Sequence, residues 1–200
     1  MMYAMHDALR REAGRVARIT VRGGGDDPRQ ILAAAVGWQM FKTYLHVHHT
    51  SEDQAIWPVL WEVLSGRPDD LALLDAMEAE HAAIDPLLEA IDAALAEAGS
   101  GAGRLGGLVD ELVGTLTSHL KHEENEALPL IDATMTEAQW QHFTEVHRNG
   151  IGADVPRYFP WLLDGASEAS AEALLGLLPA DVRDVYRTRW QPAYARLDLW

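Results

Sequence analysis

The stretch HHTSEDQAIWPVL, residues 48–60, recurs in altered form as HLKHEENEALPLI, residues 119–131. A lone histidine lies upstream of each copy, His6 before the first and His81 before the second. The chain therefore looks like two related helical hairpins, a first half from His6 to Pro58 and a second half from His81 to Pro129. Chance similarity between amphipathic helices is the alternative, and a proline at the same place in both copies argues against it. The matching pairs are His48 with His119, Glu52 with Glu123, Asp53 with Glu124, and Pro58 with Pro129.

Four long stretches around this repeat have apolar residues at helical spacing, and glycine, proline or acidic residues interrupt them. Asp27 can cap the second stretch with Pro28 at its first position, and Pro58 would kink or end that helix. Since short connections favour antiparallel neighbours, the sequence predicts an all-α fold, an antiparallel up-down four-helix bundle without a sheet. The predicted helices are 3–19, 29–57, 71–98 and 108–131, and the predicted breaks are 22–28, 65–70 and 99–107.

The end of the chain has a different character. Residues 136–150 begin with Thr136, a good helix cap, and predict a shorter fifth helix. Residues 157–200 carry three of the seven tryptophans and have apolar spacing for two more helices. We expect residues 1–135 to form the bundle. Residues 136–200 would form a helical C-terminal extension that packs on it in the same structural unit.

The composition limits the kinds of function. The chain has no cysteine, which excludes disulfides and thiolate metal ligands. Its net charge of −15 would repel nucleic acid and anionic lipid, so we expect neither as a partner. No apolar run approaches the roughly 18 residues that a membrane span needs, and no secretion signal opens the chain. We therefore expect a soluble, cytoplasmic protein, and the sequence does not indicate protein partners.

His48 and Glu52 share one face of a helix, because residues four apart differ by about 40° and one turn. His49 falls on the other side of Glu52, at about 60°, so the carboxylate lies between two imidazoles. Its two oxygens can bridge two metal ions, each also bound by one of these histidines. His46 lies about 120° from Glu52, and we expect it to be exposed or to support a ligand.

Four helices that converge in a bundle would bring together five imidazoles and two carboxylates. Neutral imidazole and carboxylate suit iron, manganese or zinc. Two bridging acids and five further ligands fit two ions with one coordination position open, whereas structural zinc sites are normally tetrahedral and closed. The alternative is a set of solvated or core histidines, and the two matched His-x-x-x-Glu units argue against it. The candidate ligands are His6, His48, His49, Glu52, His81, His119 and Glu123.

Competing motifs fit less well. Ferritin-like di-iron bundles need two Glu-x-x-His units on different helices, and the chain has one, from Glu78 to His81. Residues 122–126, HEENE, lack the second histidine of a zinc-protease motif. Residues 101–106, GAGRLG, have the spacing of a dinucleotide-binding loop, but no predicted strand precedes them and we expect an ordinary loop.

The pattern resembles the hemerythrin-like family, also called the HHE cation-binding domain. The resemblance covers roughly residues 3–135 and rests on His6, on HHTSE followed by WP, on EAEH, and on HLKHEE followed by LP. It implies a four-helix bundle that holds a non-haem di-iron centre with two iron ions. By this resemblance Glu52 and Glu123 would bridge the ions, His6 and His48 would bind one iron, and His49, His81 and His119 the other.

Two departures separate the chain from the invertebrate oxygen carriers of that family. Those carriers have two histidines four residues apart on the third helix, whereas position 77 is Met77 here. His49 takes the place of the missing imidazole, and the acid of the fourth helix follows its histidine by four positions rather than five. Both features are those of the bacterial and F-box-linked branch, so oxygen carriage is not simply inherited.

The resemblance implies a protein that binds or processes O₂ or a related small oxidant, such as peroxide or NO. Three alternatives stay open: reversible binding or iron or oxygen sensing without turnover, an enzyme that disproportionates peroxide or performs an O₂-dependent oxidation, and a bundle that binds metal adventitiously. Tyr44, one turn before His48, can donate a hydrogen bond to a bound ligand or be a core tyrosine satisfied elsewhere. The sequence names no catalytic residue and no organic substrate.

Overall fold

A computed structural model describes residues 1–21, 27–97 and 101–200, with side chains for all of these except 101–103. Within these ranges the chain is helical apart from short connections and contains no strand, which confirms the predicted all-α class. The helices are α1 (Met2–Val21), α2 (Pro28–Ala34), α3 (Val36–Ala55), α4 (Trp57–Val63), α5 (Pro68–Ala96), α6 (Gly101–His122), α7 (Leu128–Thr134), α8 (Glu137–Ile151), α9 (Val155–Leu163), α10 (Glu168–Gly176), α11 (Ala180–Val185) and α12 (Gln191–Tyr194). Three short turns join some of these helices: a π-helical turn (Glu123–Ala127) between α6 and α7, a 3₁₀ turn (Gly152–Asp154) between α8 and α9, and a second π-helical turn (Tyr186–Trp190) between α11 and α12.

Four long helices enclose the core. Helix α5 packs along α6, α6 along α1 and α1 along α3, and α3 also contacts α5, so the contacts close a ring of four helices. Their apolar faces meet in one buried cluster that includes Leu9, Phe41, Ile84 and Leu116. Burying a side chain of this size contributes roughly 1.5–3 kcal/mol. The antiparallel up-down order of the four helices stays a prediction.

The predicted helix 29–57 begins as expected but is divided in the structure. The carboxylate of Asp27 accepts a hydrogen bond from the backbone N–H of Arg29 at 3.0 Å and caps α2, with Pro28 as its first residue. Ala35 then leaves the helical conformation, with φ −69° and ψ 118°, and α3 starts after it. The single long helix predicted from the sequence is therefore wrong at this point.

A contact with the C-terminal end of the chain accounts for the division. The N–H of Gly37 would be used inside an undivided helix, but here it donates to the carbonyl of Leu199 at 2.8 Å. The indole of Trp200 lies over Gly37, where an added Cβ would come within 2.4 Å of the ring. Only glycine leaves room for this approach, and no local sequence pattern indicates such a distant partner.

Two predicted breaks fall partly outside the described residues, which omit 22–26 and 98–100. The remainder of the break predicted at 99–107 is wrong, because residues 101–107 belong to α6 and GAGRLG is therefore helical rather than a loop. Glycine lowers helix stability by about 1 kcal/mol relative to alanine. Leu105 and Val109 are nevertheless buried in the core, and this packing outweighs the low propensity of the glycines around them.

Each of the two matched prolines lies six residues after its matched glutamate, and the helix is interrupted between the two. Near Pro58, α3 ends at Ala55 and α4 starts at Trp57. Near Pro129 the chain instead forms a π-helical turn, in which the N–H of Leu128 donates to the carbonyl of Glu123. Proline lacks an N–H and crowds the carbonyl four residues back, and π-helical turns are frequent at functional sites.

The C-terminal helices cover parts of α1 and α3. Helix α8 runs along α3, and α9 contacts α1. The predicted cap Thr136 is confirmed, since it forms a capping box with Gln139 at the start of α8. Arg11 on α1 donates to the carbonyl of Trp161 at 2.7 Å and to that of Asp164. None of the described helices is both long and apolar enough to cross a bilayer.

Candidate metal centre

The seven candidate ligands converge in the interior between the four long helices. Helix α1 supplies one of them, α3 three, α5 one, α6 one, and the π-helical turn after α6 one. All seven are buried; the exposed fraction is 6% for His49 and His81 and 1% or less for the other five. The structure therefore places together every residue of the predicted set: His6, His48, His49, Glu52, His81, His119 and Glu123.

Their nitrogen and oxygen atoms form two groups. Within each group, one such atom from every residue lies within 4.8 Å of the others, a separation that one ion can span. The rings of His48 and His49, which belong to different groups, have their centroids 5.5 Å apart. This grouping of the histidines is the one that the resemblance implies, and metal binding by them stays a prediction. The first group is His49, His81 and His119, and the second is His6, His48, Glu52 and Glu123.

The two oxygens of Glu52 face different groups. Its Oε1 lies 3.2 Å from Nδ1 of His48, and its Oε2 lies 3.5 Å from Nε2 of His81. Glu123 also lies between the two groups, but through one oxygen: its Oε2 lies 3.2 Å from Nε2 of His6 and 3.9 Å from Nε2 of His119. Both carboxylates therefore stand between the two groups, which is the position that a bridging ligand needs.

The acidic residue directly after each of these glutamates contacts the lone histidine of the other half of the repeat. Nδ1 of His81 lies 2.9 Å from Asp53, and Nδ1 of His6 lies 2.9 Å from Glu124. An ionised carboxylate only accepts hydrogen bonds, so each ring donates from Nδ1 and turns its Nε2 toward the interior. Such pairs fix the orientation of a ligating histidine and raise its basicity. Sequence reasoning matched Asp53 with Glu124 but did not assign them this role.

Glu80 orients a third histidine and has no counterpart in the first half. Its Oε2 lies 3.0 Å from Nδ1 of His119, and its Oε1 lies 2.8 Å from Nδ1 of His122. At the offset that relates His6 to His81, the residue that corresponds to Glu80 is Met5. The repeat therefore gives no signal for this contact, and sequence reasoning missed it.

The atoms that face the interior have no hydrogen-bond partner. They comprise Nε2 of all five histidines and both oxygens of both glutamates. A buried polar atom without a partner costs about 1–3 kcal/mol, and native proteins satisfy nearly all such atoms. Cations would satisfy nitrogen lone pairs and carboxylate oxygens together, so the donor set fits metal ions.

Burial also determines the protonation of these groups. Desolvation lowers the pKa of His48 and His49 well below the ordinary value, and neighbouring imidazoles lower it further. Desolvation raises the pKa of Glu52 well above its ordinary value, and the Glu123 carboxylate raises it further. The imidazoles of His48 and His49 are therefore held in the neutral form that binds metal, whereas a cation beside Glu52 would displace a proton.

Comparison with known protein families agrees with this geometry. The family model of the hemerythrin HHE cation-binding domain matches residues 1–131. The chain belongs to the hemerythrin HHE cation-binding domain family. A search of curated proteins and a search of solved structures gave no match. The matched part of this hemerythrin-type chain contains all seven candidate ligands, so a helical metal-binding domain is the function that the family assignment supports.

Residues near the candidate centre take other roles in this hemerythrin-type domain. His46 is exposed, as expected. Tyr44 is a core residue whose hydroxyl donates to Oδ2 of Asp154 at 2.5 Å, the second of its two predicted roles. His147 lies after the matched segment, yet it is buried and its ring packs against Phe143 and Tyr158.

Proposed function

We propose that this chain is a non-haem di-iron protein of the bacterial branch of its family, built as an antiparallel four-helix bundle. It would bind or process O₂, peroxide or NO at a carboxylate-bridged centre. The observation that carries the proposal is Glu52, whose two oxygens face two separate groups of histidines inside a buried space. An ion in one group alone would leave the other group without a partner.

The seven side chains would share two ions. Two imidazoles, His6 and His48, would hold one ion, three would hold the other, and Glu52 and Glu123 would lie between them. Imidazole and carboxylate ligands without thiolate suit iron, and two ferrous ions held there would supply electrons to a small oxidant. The three imidazoles of the first group are His49, His81 and His119.

The chain's own residues set the conditions around that centre. Asp53, Glu80 and Glu124 orient imidazole rings, which preorganises the ligands. Buried apolar side chains on the same helices exclude bulk water: Leu45, Ile84 and Leu116. Because the hydroxyl of Tyr44 is engaged by Asp154, we assign no proton transfer to it.

Metal analysis tests the proposal first, and spectroscopy then separates binding from turnover. Protein purified from iron-rich medium should contain about two iron ions per chain. If it contains none, the proposal fails and the histidines bind metal only adventitiously. Stopped-flow mixing of the reduced protein with O₂ and with peroxide distinguishes the remaining alternatives: a long-lived charge-transfer band indicates reversible binding, and oxygen evolution from peroxide indicates an enzyme.

A further inference from the structure

A surface cavity reaches the candidate centre between α3 and α5. It has a volume of about 350 Å³, and both His49 and His81 line it. These are the two most exposed candidate ligands, at 6% each, whereas the other five are exposed by 1% or less. Of the seven residues, the pair at this cavity therefore lies nearest to solvent.

The rim of the cavity is acidic. Asp53, Glu78 and Asp85 contribute three exposed carboxylates, and His46 contributes an exposed imidazole. No lysine or arginine is among the described residues that line the cavity. We call this rim of four residues the acidic mouth.

The base of the cavity adds a second, independent feature. Nε2 of His49 and Nε2 of His81 are buried without a hydrogen-bond partner, and both residues belong to the same candidate group with His119. Their ring centroids lie 4.0 Å apart, and one nitrogen of each ring lies within 4.8 Å of the other, a separation that one ion can span. An acidic patch on an ordinary surface has no such unsatisfied ligands beneath it.

We propose that the acidic mouth is the route by which divalent cations reach the centre. This inference rests on the proposed function, because it assumes that the seven buried residues bind metal. A cleft lined by one sign of charge raises the local concentration of the opposite sign and accelerates association by about 10- to 1,000-fold. The outer carboxylates attract the hydrated cation, and the inner imidazoles then replace its waters. The same field slows anions but leaves uncharged O₂, peroxide and NO unaffected.

The test is the rate of Co²⁺ uptake by the metal-free protein, followed by stopped-flow visible absorption. The double variant Glu78→Gln/Asp85→Asn removes two charges from the acidic mouth without touching a candidate ligand or Asp53, which bonds to His81. We expect its second-order uptake rate to fall about 3- to 10-fold at low salt. Added salt should lower the Co²⁺ uptake rate of the wild type and reduce the difference between the wild type and the double variant, because salt screens the attraction between the carboxylates and the cation.

The control variant is Asp110→Asn/Glu111→Gln, which neutralises one aspartate and one glutamate that are exposed on α6. Its uptake rate should match that of the wild type. The proposed route is wrong if the mouth variant keeps the wild-type rate, or if both variants slow equally. Equilibrium titration separates this failure from that of the proposed function: all three proteins should bind about two Co²⁺ ions per chain, and a wild type that binds none overturns the metal centre itself.

Discussion

Nδ1 of His81 lies 2.9 Å from Oδ1 of Asp53, so an acid of the first half orients a histidine of the second. The converse pair, His6 and Glu124, has the same separation. Arg10 fixes Glu124 in turn through two hydrogen bonds of 2.9 and 2.7 Å. The two halves are therefore joined by exchanged polar partners as well as by apolar packing.

Asp53→Asn should weaken metal binding without unfolding the protein. An asparagine can turn its NH₂ group toward Nδ1, so the ring of His81 is no longer held with Nε2 bare. Loss of such a partner typically lowers metal affinity about 10- to 100-fold. Competition with a chromophoric chelator measures the metal affinity of the variant and of the wild type. Asp75→Asn, an exposed change on α5, should keep the wild-type affinity; equal affinities in the two variants would contradict the role of Asp53.

Glu52→Gln should reduce the iron content from about two ions per chain to one or none. Glutamine keeps the shape of the side chain but cannot bridge two cations as an anion, so the rise in Tm that iron produces should become smaller in the variant than in the wild type. Iron analysis and thermal melts with and without iron measure these effects. Glu12→Gln is the matched control, because Glu12 is fully buried but pairs with Arg11 and Arg15. It should lower Tm and leave the iron content unchanged.

His147 should make the metal-free protein sensitive to acid. Burial lowers the pKa of His147 to about 4, so the unfolded chain, with an ordinary value of about 6.5, binds the proton more readily. The stabilising effect of burying the neutral ring is complete above pH 6.5 and is lost as the pH falls toward 4, by up to about 3 kcal/mol. In denaturant titrations of the chelated protein, His147→Phe should reduce the loss of stability between pH 6.5 and 4 by this amount, and the contribution of buried His48 and His49 should stay.

The iron content of His147→Phe should equal that of the wild type, because His147 belongs to neither candidate group. His142→Phe, at an exposed position of α8, should keep both the iron content and the pH dependence. An iron content in His147→Phe as low as in Glu52→Gln would show that the ligand assignment is wrong.

Gly37→Ala should destabilise the protein. The new Cβ would lie 2.4 Å from the indole of Trp200 and 2.8 Å from the carbonyl oxygen of Leu199. The C-terminal segment must therefore move away, which we expect to lower the free energy of unfolding by about 1–3 kcal/mol. Gly114→Ala provides the contrast, because its Cβ meets nothing within 4 Å in the middle of α6, and it should stabilise by roughly 0.5–1 kcal/mol. The free energies of unfolding of both variants and of the wild type, measured by denaturant titration, test this prediction. Equal free energies for Gly37→Ala and the wild type would show that Trp200 does not pack against Gly37 in solution.

The sequence predicted most of the helices from local periodicity, and it predicted the convergence of the seven candidate ligands from the internal repeat and the expected bundle. His48 and Glu52 share a face through the geometry of one helical turn, and the matched His119 and Glu123 follow the same rule. The repeat also contained the signal for Asp53, since its position relative to Glu52 is preserved in the second copy.

Contacts between distant segments could not be predicted in this way. The approach of Trp200 to Gly37 and the hydrogen bond from Tyr44 to Asp154 join residues that share no pattern. The helical conformation of residues 101–107 was missed for the same reason, since it depends on burial of Leu105 rather than on local propensity.

Each lone histidine depends on an acid from the other half, so neither half can be changed in isolation. A substitution at Asp53 would disturb the ligand contributed by the second half, and one at Glu124 would disturb the ligand contributed by the first. A gene fragment encoding one hairpin would specify part of the donor set and omit the acid that orients its own histidine. A substitution that removes the acid of one hairpin therefore changes the orientation of a candidate ligand in the other.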